Sequence, residues 1–386
     1  MSEKIRPATI RTVRIAIVDA GAYTPPYDHR LASALGARGH DVHLLTAPFR
    51  FGETPQADGY RREEILFRLS AALFRGSPRS PLRLPVKALE YLPGTLRLQR
   101  RIGELDPDVV HFQWLVRRPD VDLRWVRSIA ARRPTVLTAH DLWAMLQDRP
   151  DRWRRVFEAV DRVVVHSRRG VEELARLGMS SDRVARIPHP VFDREPAPDV
   201  DPASGCTLLV VGVIRAYKGI DLVLRALPDI ARRVPEVQLL IAGDPLDPVG
   251  PLRDLAGRLG VAERVVWRLG FHPDTEIDSL IAGASLVVLP YRQRVDSSGV
   301  LAMTLGQGRP VVASDVGSLG ETVQEFGAGE VVPPEDVGAL ADACVRLLTD
   351  RRARAGAIKG ALAARRALTW EASAELHERL YAGIVR

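Results

Sequence analysis

VLPYRQRVDSSGVLAMTLGQGRPVVASDVGSLGET, residues 288–322, decides how the rest of the chain is read. It is entered through Leu286-Val287-Val288-Leu289 and broken at Pro290. A short apolar run stopped by proline reads as a buried strand of a parallel sheet. A polar loop follows, then Ser297-Ser298-Gly299 opens an apolar segment of helical length that Gly308-Arg309-Pro310 closes. Val311-Val312-Ala313 forms the next strand and runs into Ser314-Asp315-Val316-Gly317. A helix that begins at Ser-Ser-Gly presents unpaired N–H groups and a positive dipole end, and glycine lets an anion approach the backbone. Serine is also an ordinary N-cap, so the same residues suit a plain βαβ unit.

The 386 residues are enough for two domains, each with its own core. Hydrophobic content of 46% and charged content of 27% belong to a globular protein. No apolar run reaches the ~18 residues of a membrane span, and no signal peptide is read before the first strand. Cys206 and Cys344 have no metal or redox spacing and are read as buried thiols of a cytoplasmic protein. The charge is uneven: residues 1–192 carry 33 Lys and Arg against 22 Asp and Glu, a net +11, and residues 193–386 carry 22 against 26, a net −4. Such an asymmetry fits a first half that faces a phosphorylated acceptor or, peripherally, the anionic inner face of a membrane. An arginine-rich solvated surface would give the same count. No helix-turn-helix, zinc-finger or RNP-like pattern supports nucleic acid as a partner.

Val13–Asp19 is a near-continuous apolar strand followed by Gly21–His29, a helix over Arg30–Arg38 and a second strand over Asp41–Thr46. This is a doubly wound beginning. Residues 50–104 interleave Arg61, Arg62, Arg68, Arg75, Arg79, Arg83, Lys87, Arg97, Arg100 and Arg101 with Leu, Phe and Tyr. A membrane-surface segment and a long helix with a solvated basic face both fit that composition. Strands are expected at Asp108–Phe112, Thr135–Thr138, Arg162–Ser167 and Val184–Pro188, with a helix at Gly170–Leu177. Residues 193–206, DREPAPDVDPASGC, have the composition of a linker. Strands then recur at Thr207–Gly212, Leu239–Gly243, Val265–Leu269, Leu286–Leu289, Val311–Ala313 and Glu330–Val332. Helices follow near Val337–Leu348 and Arg352–Arg366, and Thr369 caps a final one.

Gly212-Val213-Ile214-Arg215-Ala216-Tyr217-Lys218-Gly219 follows the first strand of the second half. Open parallel sheets bind ligands beyond the carboxyl ends of their strands. Arg215 as a planar fork and Lys218 as a point charge suit a diphosphate there. The glycine spacing is neither a Walker loop nor a dinucleotide fingerprint.

These motifs, with LLIAG at 239–243, Leu269-Gly270-Phe271 and the stretch at 288–322, resemble glycosyltransferase family 4 in order and spacing. The first half is similar through GHDVHLLT, DVVHFQW, TVLTAHDLW, RVVVHS and RIPHPVF. The resemblance covers nearly the whole chain. It implies the GT-B fold: two doubly wound, Rossmann-like parallel-sheet domains facing a cleft, with the last helix crossing back to the first domain. The expected division is 1–192 for an acceptor domain, 193–206 for the linker, 207–366 for a nucleotide-sugar domain and 367–386 for the returning helix.

Carried over residue by residue, the resemblance implies that Arg215, Lys218, Ser298 and Gly299 hold the donor diphosphate. Gly212, Phe271, Asp296 and Thr304 are assigned to the nucleotide and sugar pocket. His140 is expected to face the transferred sugar as the catalytic residue. Two glutamates usual in the family are missing, their positions falling on Val295 and Met303 beside Asp296 and Thr304. The usual glycine pair after the first strand is replaced by Thr24-Pro25-Pro26-Tyr27-Asp28-His29, and proline offers a phosphate no N–H. Tyr27, Asp28 and His29, with His111, are therefore placed in an acceptor or cleft loop, a rigid turn being the other reading. The Asp-x-Asp runs at 106/108, 120/122 and 199/201 lie away from the expected strand ends or in the linker, so no metal site is assigned. The reaction implied is transfer of a sugar from a nucleotide diphosphate-sugar, UDP- or GDP-linked, to a hydroxyl of a carbohydrate, lipid-linked or small-molecule acceptor. It proceeds with retention, without metal and with no other cofactor. A nucleotide-sugar 2-epimerase of the same fold and a catalytically lapsed sugar-nucleotide-binding subunit are the alternatives.

Overall fold

The computed structural model describes residues 11–77, 79–116, 119–198, 206–292 and 297–385. Thirteen strands form two sheets among these residues. The first sheet takes β1 (Arg14–Asp19), β2 (Asp41–Thr46), β3 (Arg61–Glu64), β4 (Val109–Trp114), β5 (Thr135–Thr138), β6 (Arg162–Val165) and β7 (Val184–Arg186) in the order β3-β2-β1-β4-β5-β6-β7. The second takes β8 (Cys206–Val211), β9 (Val237–Gly243), β10 (Val265–Leu269), β11 (Leu286–Leu289), β12 (Val311–Ser314) and β13 (Gly329–Val332) in the order β10-β9-β8-β11-β12-β13. Every pairing is parallel. The strand order therefore reverses between β1 and β4 in one sheet and between β8 and β11 in the other. Each reversal opens a crevice at the carboxyl ends of the strands, because the two connections leave in opposite directions.

Continuous apolar runs account for most strands: β4 is buried at every position and β1 at all but its first. β3 breaks that rule and carries Arg61-Arg62-Glu63-Glu64. It lies at the edge of its sheet, where charged side chains block pairing with another chain, and its Glu63 is gripped by Arg101 at 2.7 and 2.8 Å.

The helix after β1 spans Pro25–Ala37, so most of the expected Thr24–His29 loop is helical. Two prolines occupy its first turn, where an N–H would have no partner and φ is already helical. The side chain of Thr24 does not cap it; instead the Asp19 carboxylate accepts the N–H groups of Gly21, Tyr23 and Thr24 at 3.1, 2.6 and 3.2 Å.

The final helix, Trp370–Ala382, is capped by Thr369, whose hydroxyl accepts the Ala372 N–H at 3.1 Å. It packs on the first domain: Arg38 grips Glu378 with two hydrogen bonds of 2.6 and 2.7 Å, and Tyr381 Oη meets His111 Nδ1 at 2.7 Å. The two domains also meet directly. Glu321 accepts the N–H groups of Arg168 and Arg169, at the start of the helix Arg168–Arg176, and Arg169 pairs with Asp315 at 2.8 Å. Arg79 reaches Asp244 beyond β9.

Candidate functional site

The loop after β8 and the loop after β11 flank the reversal of the second sheet, and side chains join them. Lys218, 6% exposed, donates from Nζ to Tyr291 Oη at 2.5 Å; Tyr291 Oη lies 3.2 Å from Ser298 Oγ. Ser298 accepts the Leu301 N–H at 3.3 Å and so caps the helix Gly299–Gly306. Two glycines permit this closeness. A side chain at Gly219, which has φ +67°, would stand 2.0 Å from the Pro290 carbonyl. A Cβ at Gly212 would come within 3.4 Å of Lys218 Nζ and 3.3 Å of Val300. Arg292 fixes the second loop: its backbone N–H donates to Tyr217 O at 2.9 Å, and its guanidinium binds Ala216 O, Asp221 and Glu335.

Burial holds the Lys218 ammonium below its ordinary pKa, and the nearby Tyr217 only partly offsets this. Among the described residues no carboxylate pairs with Lys218. A buried cation whose protein partner is a phenol hydroxyl is an electrostatic demand for an anion. Arg215 lies exposed at the mouth of the same loop, and Gly299 is the exposed first residue of the capped helix. Gly212, Lys218 and Ser298 thus converge, with Arg215 and Gly299 on the solvent side.

Other expected residues fall elsewhere. Thr304 is fully buried and its hydroxyl donates to the Val300 carbonyl at 2.7 Å, so it faces into its helix and not toward a nucleotide. Phe271, 64% exposed, follows the edge strand β10 and points across to the first domain, where a side chain at Gly52 would meet its ring at 3.8 Å. Asp296 lies outside the described residues, as do Val295 and residues 199–205 of the linker.

In the first domain His140 follows β5 and stacks on Trp114 at 5.2 Å, with Tyr27 edge-on at 4.7 Å. Its Nε2 is 2.8 Å from the Gln113 amide and its Nδ1 is 3.1 Å from His166 Nε2. His166 Nδ1 must carry a proton, because it donates to the Ile187 carbonyl at 2.8 Å. The Gln113 atom facing His140 Nε2 is the amide oxygen, its nitrogen lying 3.3 Å from His111 Nε2, so a neutral His140 carries its proton at Nε2 and donates it to Gln113. Burial, reinforced by the neighbouring histidines, pushes the His140 pKa far down and keeps this neutral form. His140 Nε2–H can thus donate a hydrogen bond to a ligand hydroxyl that takes the place of the Gln113 oxygen.

His111 is not a cleft residue. It is fully buried, held between Tyr381 Oη at 2.7 Å and Thr138 Oγ1 at 2.8 Å beneath the final helix. Tyr27 is buried too, its ring against His140, His189 and Trp370 and its hydroxyl without a protein partner. His29 bonds Tyr60 Oη at 3.1 Å. Asp28 is buried beside Asp19, and burial together with that carboxylate raises its pKa well above the usual range. A proton kept by the fold and released on unfolding stabilises at low pH, and that contribution is lost as pH rises through the raised pKa. Asp28→Asn mimics the protonated carboxyl, so the variant should gain about 1–3 kcal/mol over the parent in alkaline buffer, with the gain vanishing in acid. Urea unfolding at pH 5 and pH 8.5 measures it; an equal effect at both pH values contradicts the raised pKa of Asp28.

Sequence reasoning missed Tyr291, although it stands directly after Pro290 at a strand end where a ligand-side group is expected. It also missed Gln113 and His166, which reach His140 from different strands, with no local signal. Among the described residues no group of three or more His, Cys, Asp or Glu side chains could hold a metal ion. Asp106, Asp120 and Asp122 are engaged with Arg133, Arg152 and the Tyr91–Trp125 pair. No described helix is long and apolar enough to cross a membrane.

Residues 27–193 match Glycosyltransferase Family 4, and residues 205–350 match Glycosyl transferases group 1. The GDP-mannose-dependent alpha-(1-6)-phosphatidylinositol monomannoside mannosyltransferase of Mycolicibacterium smegmatis is 33% identical over 289 residues, covering 68% of this chain and 73% of that one. The chain belongs to glycosyltransferase family 4. This glycosyltransferase is also similar to the D-inositol 3-phosphate glycosyltransferase of Acidothermus cellulolyticus, 28% identical over 92% of this chain and 84% of the relative. In fold it matches sucrose-phosphate synthase from Thermosynechococcus elongatus (TM-score 0.75, 22% identity, 96% and 98% of the two chains). It likewise matches Anabaena HepE in complex with UDP and glucose (TM-score 0.73, 17% identity, 96% and 100%). Both neighbours share the two-domain GT-B architecture that the sheets of this glycosyltransferase display.

Proposed function

We propose that this glycosyltransferase takes a sugar from a nucleotide diphosphate-sugar and passes it to an acceptor hydroxyl with retention of anomeric configuration. The observation that carries the reading is the meeting of Lys218, Gly212 and the Ser298-capped helix at the reversal of the second sheet. Lys218, Arg215 and the Gly299 amide would take the negative charge that gathers on the departing diphosphate. As the anomeric bond ionises toward an oxocarbenium-like state, the acceptor hydroxyl would add from the face the diphosphate leaves. His140 Nε2 would exchange Gln113 for a hydroxyl of the transferred sugar. Asp221 and Glu335, the carboxylates tied to the second loop, are engaged with Arg292. In this reading Lys218 and Arg215 would neutralise the leaving group without a metal. The basic first half and its exposed leucines support a peripheral contact with an anionic membrane, from the cytoplasmic side.

Two measurements test this. Thermal shifts with UDP, GDP, ADP and TDP and their sugars should single out one nucleotide, GDP being the first to try because a relative's name specifies GDP-mannose. Mass spectrometry with that donor should find the sugar on an acceptor or slowly released to water. No shift with any nucleotide removes the donor assignment. Turnover should survive EDTA, and a strict magnesium requirement overturns the metal-free form.

A further inference from the structure

The helix Arg83–Leu105 begins the wrong way round. Its first turn has no acidic residue, its cap residue Leu82 makes no side-chain hydrogen bond, and Arg83 and Lys87 place two cations at the positive end of its dipole. Cations there are disfavoured unless an anion joins them. Glu90 does not serve, because its two oxygens accept the N–H groups of Leu69 and Ser70 at 2.7 Å each. Among the described residues neither Arg83 nor Lys87 is paired with a carboxylate. Arg83 is only 7% exposed and its Nε has no hydrogen-bond partner. Lys87 Nζ lies 4.5 Å from the centre of the Phe67 ring and lines a cavity of about 400 Å³ with Phe67, Leu84, Tyr91, Val116 and Val121. Arg50, Arg83 and Lys87 act on one another, with Tyr23, Asp19 and Glu90 as the opposing groups in reach.

Two further features say what fits. Past the cavity the same helix leaves Leu89, Leu92 and Leu96 exposed at 79%, 64% and 57%, with Leu84 at the cavity itself 64% exposed. Contiguous exposed leucines mark a surface that meets something apolar. The cavity also adjoins the cleft: Val116 follows β4, and the Tyr23 ring lies 5.2 Å from Trp114, which stacks on His140.

We propose that Arg83 and Lys87 bind the phosphoryl head of an amphiphilic acceptor whose apolar body enters the cavity beside them. The inference rests on the transfer reading above, since it names the class of molecule that presents the hydroxyl. Nothing else in the transfer step changes: the acceptor oxygen gains the sugar as the bond from the anomeric carbon to the diphosphate breaks, and its proton leaves with the nucleoside diphosphate.

The test measures binding to the whole protein by calorimetry, with hexyl phosphate and inorganic phosphate as probes and nucleoside diphosphate in a separate titration. Hexyl phosphate should bind at least about tenfold more tightly than inorganic phosphate, and Arg83→Gln/Lys87→Gln together should weaken it by at least about tenfold. Nucleoside diphosphate affinity should be the same in parent and variant, so a failed donor site is seen separately from a failed acceptor site. Equal affinity for the two phosphates, or hexyl phosphate binding untouched by the double variant, overturns the proposal. A second reading needs no variant. Burial, aided by Arg83 and Arg50, lowers the Lys87 pKa to about 8, so this amine should react early with acetic anhydride at pH 8. Hexyl phosphate should slow that labelling several-fold by mass spectrometry, and labelling unchanged by the probe counts against the site.

Discussion

Lys218→Ala is expected to lower kcat/KM by about 10²–10³-fold, the effect of removing one preorganised group that stabilises developing negative charge. The same change should abolish the melting shift produced by nucleoside diphosphate. The reasoning follows from burial. Lys218 sits with Tyr291 Oη as its hydrogen-bond partner, and its pKa is held down because nothing anionic compensates its removal from water. A diphosphate would supply that compensation, raise the pKa and draw in a proton where the amine had been neutral. Removing an uncompensated buried charge should not harm the fold, so the variant should melt no lower than the parent. Loss of binding in a protein of undiminished stability separates a ligand role from a structural one. Tyr291→Phe should do less, about tenfold or below, because it removes one hydrogen bond and leaves the cation. A Lys218→Ala protein that still shows the full nucleotide shift would end the assignment.

Acid is expected to unfold this protein early. His111, His140, His166 and His377 are buried, and His189 is half-buried, around Tyr27, Gln113, Trp370 and Tyr381, and desolvation drives each pKa down. His166 and His377 fall to about 4 and His189 to about 3. A group that takes up protons more readily when unfolded adds stability above its ordinary pKa of 6.5 and withdraws it as pH falls toward the folded value. Between pH 8 and pH 5 each of these three should cost about 2 kcal/mol. Together they are comparable with the ~5–15 kcal/mol that holds a typical domain. Urea midpoints at pH 8, 6 and 5 should therefore drop steeply below pH 6.5. His377→Gln should flatten the profile, since His377 Nε2 has no partner to lose. A midpoint constant down to pH 5 would show that the cluster is not neutral and sealed.

Much of this could be seen in the residues, and the exceptions have physical causes. Apolar runs such as Leu286–Leu289 announced the parallel strands, because a strand covered on both faces has no reason to alternate. β3 escaped notice because an edge strand is kept from aggregating by the charges that make it look like a loop. Pro25-Pro26 suggested a turn, whereas proline is as much at home in a helix's first turn. The approach of Lys218 to the Ser298-capped helix was legible because strand ends and capped helices are local features. Thr304 and His111 were misplaced because the direction a side chain faces depends on what packs there. The histidine cluster draws on positions 111, 140, 166, 189 and 377, and only the tertiary fold unites them. The exposed leucines of Arg83–Leu105 were seen only as apolar residues scattered among arginines.

The helix Trp370–Ala382 closes over Tyr27 and His111, residues made hundreds of codons earlier. During synthesis the first sheet must therefore wait, with that face bare, until this helix too has left the ribosome. The second domain can complete its own core sooner, so the half that is translated first is the half that matures last.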